Sequence, residues 1–201
     1  MRMKKAHRAE MKTAFVVGNG TSRSPIDLSS LKGKGSIIGC NALYRDFSEY
    51  DYLVAIDDDM IEELQSNAND ERLIIPPQDE RWEDSRYSNI RRRSNAGMNA
   101  MFEAIRMDHN KLYCLGFDFI LKSEESTSNI YEDTDCYGPE THAVQSDNVY
   151  RIKYLNWCVQ NNLDVSFTFV LPRDEKYETI SGPNVTGIYI DKFMEKYNGT
   201  V

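Results

Sequence analysis

The chain has 201 residues, with 24 Lys and Arg against 32 Asp and Glu, a formal net charge of −8, 40% hydrophobic and 28% charged residues. Such a length and balance give one domain with a substantial core and exclude a disordered chain. The acidic excess argues against a broad nucleic-acid surface, which needs a basic face, and no apolar run approaches the roughly 18 residues needed to cross a bilayer.

Residues 1–10 carry Arg2, Lys4, Lys5 and Arg8 without an apolar stretch, which reads as a basic tail rather than a secretory signal, and residues 11–201 read as one domain. The first predicted strand, Thr13–Val17, runs into Gly18-Asn19-Gly20-Thr21-Ser22. Glycines at the end of a parallel strand let backbone N–H groups approach a phosphate, and Asn19 can hydrogen-bond a ribose or base. The stretch lacks the third glycine of a dinucleotide fingerprint and the Lys-Ser/Thr of a P-loop. A second strand, Ser36–Cys40, ends at Gly39-Cys40-Asn41.

The third strand, Tyr52–Ile56, leads into Asp57-Asp58-Asp59 and a helix over Asp59–Ser66. Asp58 or Asp59 can cap that helix, Asp57 can bond a ribose or base, and together the three can hold a divalent metal. Pro76-Pro77 stops the fourth strand, Leu73–Ile75. Arg91-Arg92-Arg93 then precedes Ser94-Asn95-Ala96-Gly97, which opens a helix over Ala96–Met107 with a small-residue face. Small residues permit close packing on a sheet; the exposed N–H groups, with one upstream arginine such as Arg93, also make an anion site.

The fifth strand, Lys111–Leu115, ends at Gly116-Phe117-Asp118-Phe119 and opens a long polar segment, residues 117–146, read as a substrate-covering lid. His142, near its end, is the histidine placed to swing over a crevice; Tyr131 and Tyr137 can donate to a phosphate or simply pack the lid. A helix over Asn148–Asn161 carries Val149, Ile152, Leu155 and Val159 along one stripe, and Val165–Val170 forms the last strand. Continuous apolar strands interspersed with helices predict an α/β, Rossmann-like doubly wound, mainly parallel sheet with helices on both faces. In such a sheet the polar groups at the strands' carboxyl ends converge on one crevice. The cysteines, Cys40, Cys114, Cys136 and Cys158, are scattered without a CxxC pair, which points to free thiols, a cytoplasmic setting and no zinc site.

The order of these motifs resembles the bacterial sialyltransferases of glycosyltransferase family 42 and related small Rossmann-like proteins. The residues that carry the likeness are Gly18–Ser22, Ile26-Asp27, Leu31, Gly39-Cys40-Asn41, Tyr44, Asp57, Asn95-Ala96-Gly97 and Leu115–Phe119, across Met11 to Pro172. The resemblance implies glycosyl transfer from a CMP-linked acidic sugar with no required cofactor. On it, Asn19, Asn41 and Asp57 hold the nucleotide. Asn95, Ala96 and Gly97 take the cytidine and phosphate contacts that the family makes with Thr-Ser-Gly, and Gly116 and Phe117 form the floor. Gly18, Gly20, Thr21, Ser22 and Asp118 complete the expected nucleotide set. The resemblance makes His142 the catalytic base and Tyr131 one of two tyrosines assisting the departing phosphate; the other falls on Ile120, which cannot donate. The chain also lacks most of the family's acceptor-side elements and its membrane-associating tail.

The expected function is therefore transfer from a nucleotide-sugar donor to a glycan or small-molecule acceptor. Two alternatives stay open. One is a pterin diphosphokinase-like phosphotransferase with Mg at Asp57–Asp59; the other is a nucleotide-binding module without turnover.

Overall fold

The computed structural model describes residues 10–67, 70–77 and 94–197. The basic tail up to residue 9 and Arg91–Arg93 therefore lie outside the described residues. Seven strands make one all-parallel sheet: β1 (Thr13–Val17), β2 (Ser36–Cys40), β3 (Tyr52–Val54), β4 (Leu73–Ile74), β5 (Lys111–Leu115), β6 (Ser166–Leu171) and β7 (Val185–Tyr189). Their spatial order is β4-β3-β2-β1-β5-β6-β7. Four α-helices are described: α1 (Asp58–Asn67), α2 (Ala96–Arg106), α3 (Gln145–Asn161) and α4 (Ile190–Tyr197). None of the described helices is long and apolar enough to cross a membrane.

Alternation along the strands sorts the core into two layers. Ala14, Val16, Ile38, Cys40, Leu112 and Cys114 pack with α2 and α3 on one face of the sheet. Phe15, Val17, Ile37, Tyr113 and Leu115 pack with α1 and α4 on the other. Both faces are thus covered, which explains why the central strands are unbroken apolar runs.

The chain builds outward from β1 to β4, then crosses back over β1 to begin β5. At that reversal the loops leave in opposite directions and open a crevice at the strands' carboxyl ends. Val17 lies in register with Leu115, so Gly18 and Gly116 meet there. A Cβ on Gly18 would stand 2.6 Å from the Gly116 carbonyl oxygen, and one on Gly116, at φ +64°, 2.7 Å from that of Gly18. Only glycine lets these two backbones approach so closely.

Several elements differ from the sequence expectation. The third strand ends at Val54 rather than Ile56, and β7 and α4 form where no element was predicted. β7 is a half-buried edge strand interrupted by Gly187, while α4 buries only Phe193 and Tyr197. β7 leaves no alternating apolar signal; α4 places Ile190, Phe193, Met194 and Tyr197 at helical spacing, but over only eight residues. In α3, Val149 is 54% exposed, and the buried stripe runs through Tyr154, Leu155, Cys158 and Val159 instead.

Candidate functional site

A cleft of about 470 Å³ opens at the carboxyl ends of β1, β2, β3 and β5. Gly18, Asn19, Gly20, Asn41, Asp57, Asn95, Ala96, Gly97, Gly116, Phe117, Asp118 and His142 all line it. These residues, from six separate stretches of the chain, share one cavity. Thr21, Ser22 and Tyr131 are not among the lining residues, and Arg93 lies outside the described residues.

The loop after β1 does not offer the phosphate cradle read from its glycines. The N–H of Gly18 donates to the Leu115 carbonyl at 2.8 Å, and that of Gly20 to the Gly116 carbonyl at 3.1 Å. Asp118 takes the donors that follow: its carboxylate accepts the Ser22 N–H at 2.9 Å, the Ser22 hydroxyl, and the Thr21 hydroxyl at 3.5 Å. A Cβ on Gly20 would overlap that carboxylate. Burial raises the pKa of Asp118, and the bonds from Ser22 and Thr21 oppose the rise. A carboxylate of the chain itself thus occupies the place where an anion would be cradled.

What this loop and its neighbour do present is amide oxygen. The Asn19 amide nitrogen donates to the Cys40 carbonyl at 3.1 Å and to the Tyr137 hydroxyl at 3.5 Å, leaving Oδ1 without a partner among the described residues. Asn41, held in the left-handed region at φ 47°, donates its amide nitrogen to Asp57 at 2.9 Å and likewise leaves Oδ1 unpaired. The two residues are only 8% and 6% exposed. A buried acceptor without a donor costs about 1–3 kcal/mol, so a ligand N–H or O–H at either position is favoured.

The start of α2 is built differently. Asn95 caps it through Oδ1, which accepts the Met98 N–H at 2.8 Å. Ala96 and Gly97, the first helical residues, have no intrahelical acceptor for their N–H groups, and both residues line the cleft. A Cβ on Gly97 would meet only ordinary contacts, 3.5 Å from Asn95 Oδ1 and 3.6 Å from the Phe117 ring. Backbone donors remain available here, at the positive end of a helix.

The lid is structured. Short helical turns at Asp118–Ile120, Glu124–Thr127 and Pro139–Thr141 run through it. Ile130 donates to the Asn19 carbonyl at 2.9 Å. Arg45, paired with Glu63 at 2.6 Å, donates to the Thr134 hydroxyl and the Asp135 carbonyl, each at 2.8 Å. Tyr131 is buried among these anchors. Its hydroxyl accepts from Arg23 at 2.8 Å and donates to Asp46, so it ties the lid down and does not reach the cleft as its catalytic assignment requires. Burial, and then the Asp46 carboxylate, push this phenol well above its ordinary pKa. The phenol that does line the cleft is Tyr137.

His142 lines the cleft from the lid and is exposed, with Nδ1 3.4 Å from Glu132 and Nε2 3.3 Å from Asp133. No protein-family model, curated protein or solved structure matches the chain.

Arg151 of α3 also lines the cleft, donating to Asn148 at 2.9 Å, and among the described residues it is the only Lys or Arg that does so. The signal for it in the sequence is its place in the first turns of the helix that follows the lid. The walls differ in charge. Ala96, Gly97 and Arg151 come from the α2–α3 face of the sheet, whereas Asp57–Asp59, Glu132 and His142 come from the α1 and lid side. Among the described residues no group of three or more His, Cys, Asp or Glu side chains is disposed to hold a metal ion, the Asp57–Asp59 run included.

Proposed function

We propose that the chain is a glycosyltransferase-like enzyme using a nucleotide-activated sugar, with a CMP-linked donor as the first to be tested. The nucleotide would lie between Asn19, the start of α2 and the Gly116–Phe117 floor. The bond between sugar and phosphate breaks while the acceptor oxygen bonds to the sugar, and His142 takes the acceptor proton. Charge gathering on the departing phosphate is met by the Ala96 and Gly97 N–H groups and by Arg151, in place of the Tyr131 hydroxyl expected from the sequence. Glu132 orients the imidazole through Nδ1, and the acceptor hydroxyl takes the place of Asp133 at Nε2, the nitrogen that receives its proton. Four free thiols, three of them buried, support a reducing, cytoplasmic setting.

One observation carries this reading. A helix N-terminus, two unpartnered buried amide oxygens and a carboxylate-flanked histidine share a cleft at the sheet's reversal point. Its volume also suits a nucleotide-sized ligand, for which pockets run from about 300 to 1,000 Å³. A second reading, a nucleotide-binding module without turnover, draws on the anchored Tyr131 hydroxyl and on Ile120, which is buried.

Calorimetric titration with CMP, UMP, AMP and GMP, followed by CMP release from a CMP-linked sugar with and without EDTA, tests these readings. Metal-independent release supports the transferase. Release only with a divalent metal favours the phosphotransferase alternative, and binding without release favours the module. In the transferase, His142→Ala lowers transfer by about 10²–10⁴-fold with CMP affinity retained; unchanged transfer removes His142 from its role.

A further inference from the structure

We propose that the acceptor carries a protonated amine, which docks on the α1 and lid wall of the cleft between Asp59, Glu132 and the unpaired Asn41 oxygen. This rests on the transferase reading, since it is His142 that brings the acceptor to this wall.

The wall presents acceptors and negative charge. Asp59, in the first turn of α1, is exposed and has no ion-pair partner among the described residues. Glu132 and Asp133 share a single imidazole, so the three groups together keep at least one negative charge whether His142 is neutral or protonated. Asn41 adds an oxygen with no donor; its amide nitrogen is already committed to Asp57, and the residue is more than nine-tenths buried. The charge of Asp59 is also felt at the lid: after burial and Glu63, it contributes to pushing the Cys136 thiol up to about 11.

An ammonium group answers all of these features at once. Its N–H groups satisfy the Asn41 oxygen, and its charge offsets the carboxylates. A carboxylate or phosphate on the acceptor would be repelled, which gives selectivity through a disfavoured partner as well as a favoured one. The opposite wall, with the α2 start and Arg151, remains for the donor's phosphate. The cleft thereby separates an anionic donor from a cationic acceptor along the line between the two faces of the sheet.

The test compares three probes on the full chain by saturation-transfer NMR at about pH 7.5, where an alkyl amine is protonated. They are methyl 6-amino-6-deoxyglucoside, its N-acetyl derivative and methyl glucoside. The amine is expected to bind about tenfold tighter than either neutral sugar, with a preference that shrinks as salt rises from about 50 to about 500 mM. Asp59→Asn, on the exposed face of a helix end, should remove most of that preference while calorimetry reads CMP affinity within about twofold of the parent. Equal binding of the three sugars, no binding of any, or a preference indifferent to both salt and Asp59 overturns the proposal. The sugar comparison needs no variant, and CMP is titrated separately. An amine preference without CMP binding therefore sinks the donor assignment and upholds the acidic wall, whereas CMP binding without an amine preference does the reverse.

Discussion

Two glycine-bearing turns border the cleft, Gly18–Ser22 after β1 and Ser94–Gly97 at the start of α2, and they are made of the same kinds of residue. Their backbone donors meet opposite fates. At the first, Asp118 and the end of β5 take up the N–H groups, and the glycines serve the close approach of two crossing loops. At the second, a capping asparagine organises the helix start and the next two N–H groups stay open beside the cleft. Composition gives a turn its freedom of backbone; what its donors face is decided by residues far away in the chain.

Substitutions can break this contrast. The largest expected effect is at the first turn: Gly116→Ala combines a positive φ with a backbone overlap and should cost about 2–4 kcal/mol in urea unfolding. Asp118→Asn should cost about 1–3 kcal/mol, because an amide nitrogen cannot accept from Ser22 and Thr21 as the second carboxylate oxygen does. It should also change the pH profile. The folded-state pKa of Asp118 is raised, so its contribution to stability is greatest below the ordinary value of 3.8 and declines as pH rises through the raised value. Unfolding midpoints measured across that window should fall more steeply for the parent than for Asp118→Asn.

At the second turn the effects are smaller and of another kind. Asn95→Ala removes a cap and should cost about 1 kcal/mol. Gly97→Ala should change stability by no more than about 1 kcal/mol, in either direction, since the added Cβ meets only ordinary contacts. It should nevertheless weaken CMP binding in calorimetry, by holding the ligand off the helix start. If Gly97→Ala proved as destabilising as Gly116→Ala, the two turns would not differ as described.

The central strands β1, β2 and β5 were legible to the residue, because strands covered on both faces are largely apolar runs, and these stop at Gly18, Asn41 and Gly116. So was the meeting of the strand-end polar residues in one cleft, which follows from sheet topology alone. The part played by Asp118 was not legible, since its partners Ser22 and Thr21 lie 96 and 97 residues away. Tyr131 escaped for the same reason: its anchors Arg23 and Asp46 are 108 and 85 residues distant, and nothing near Tyr131 in sequence announces them. β7 was missed because a half-buried edge strand interrupted by glycine imposes no alternation, and α4 because its apolar stripe, Ile190, Phe193, Met194 and Tyr197, spans only two turns.

The hydroxyl of Tyr131, clasped between Arg23 and Asp46, has a kinetic corollary. Lifting the segment from the sheet would break both Tyr131 bonds and leave Arg23 only Asp46 and the Gly18 carbonyl, so the covering segment is held more tightly than an ordinary surface loop. Its amide protons, those of Ile130 and Tyr131 foremost, should exchange with deuterium as slowly as those of the central strands.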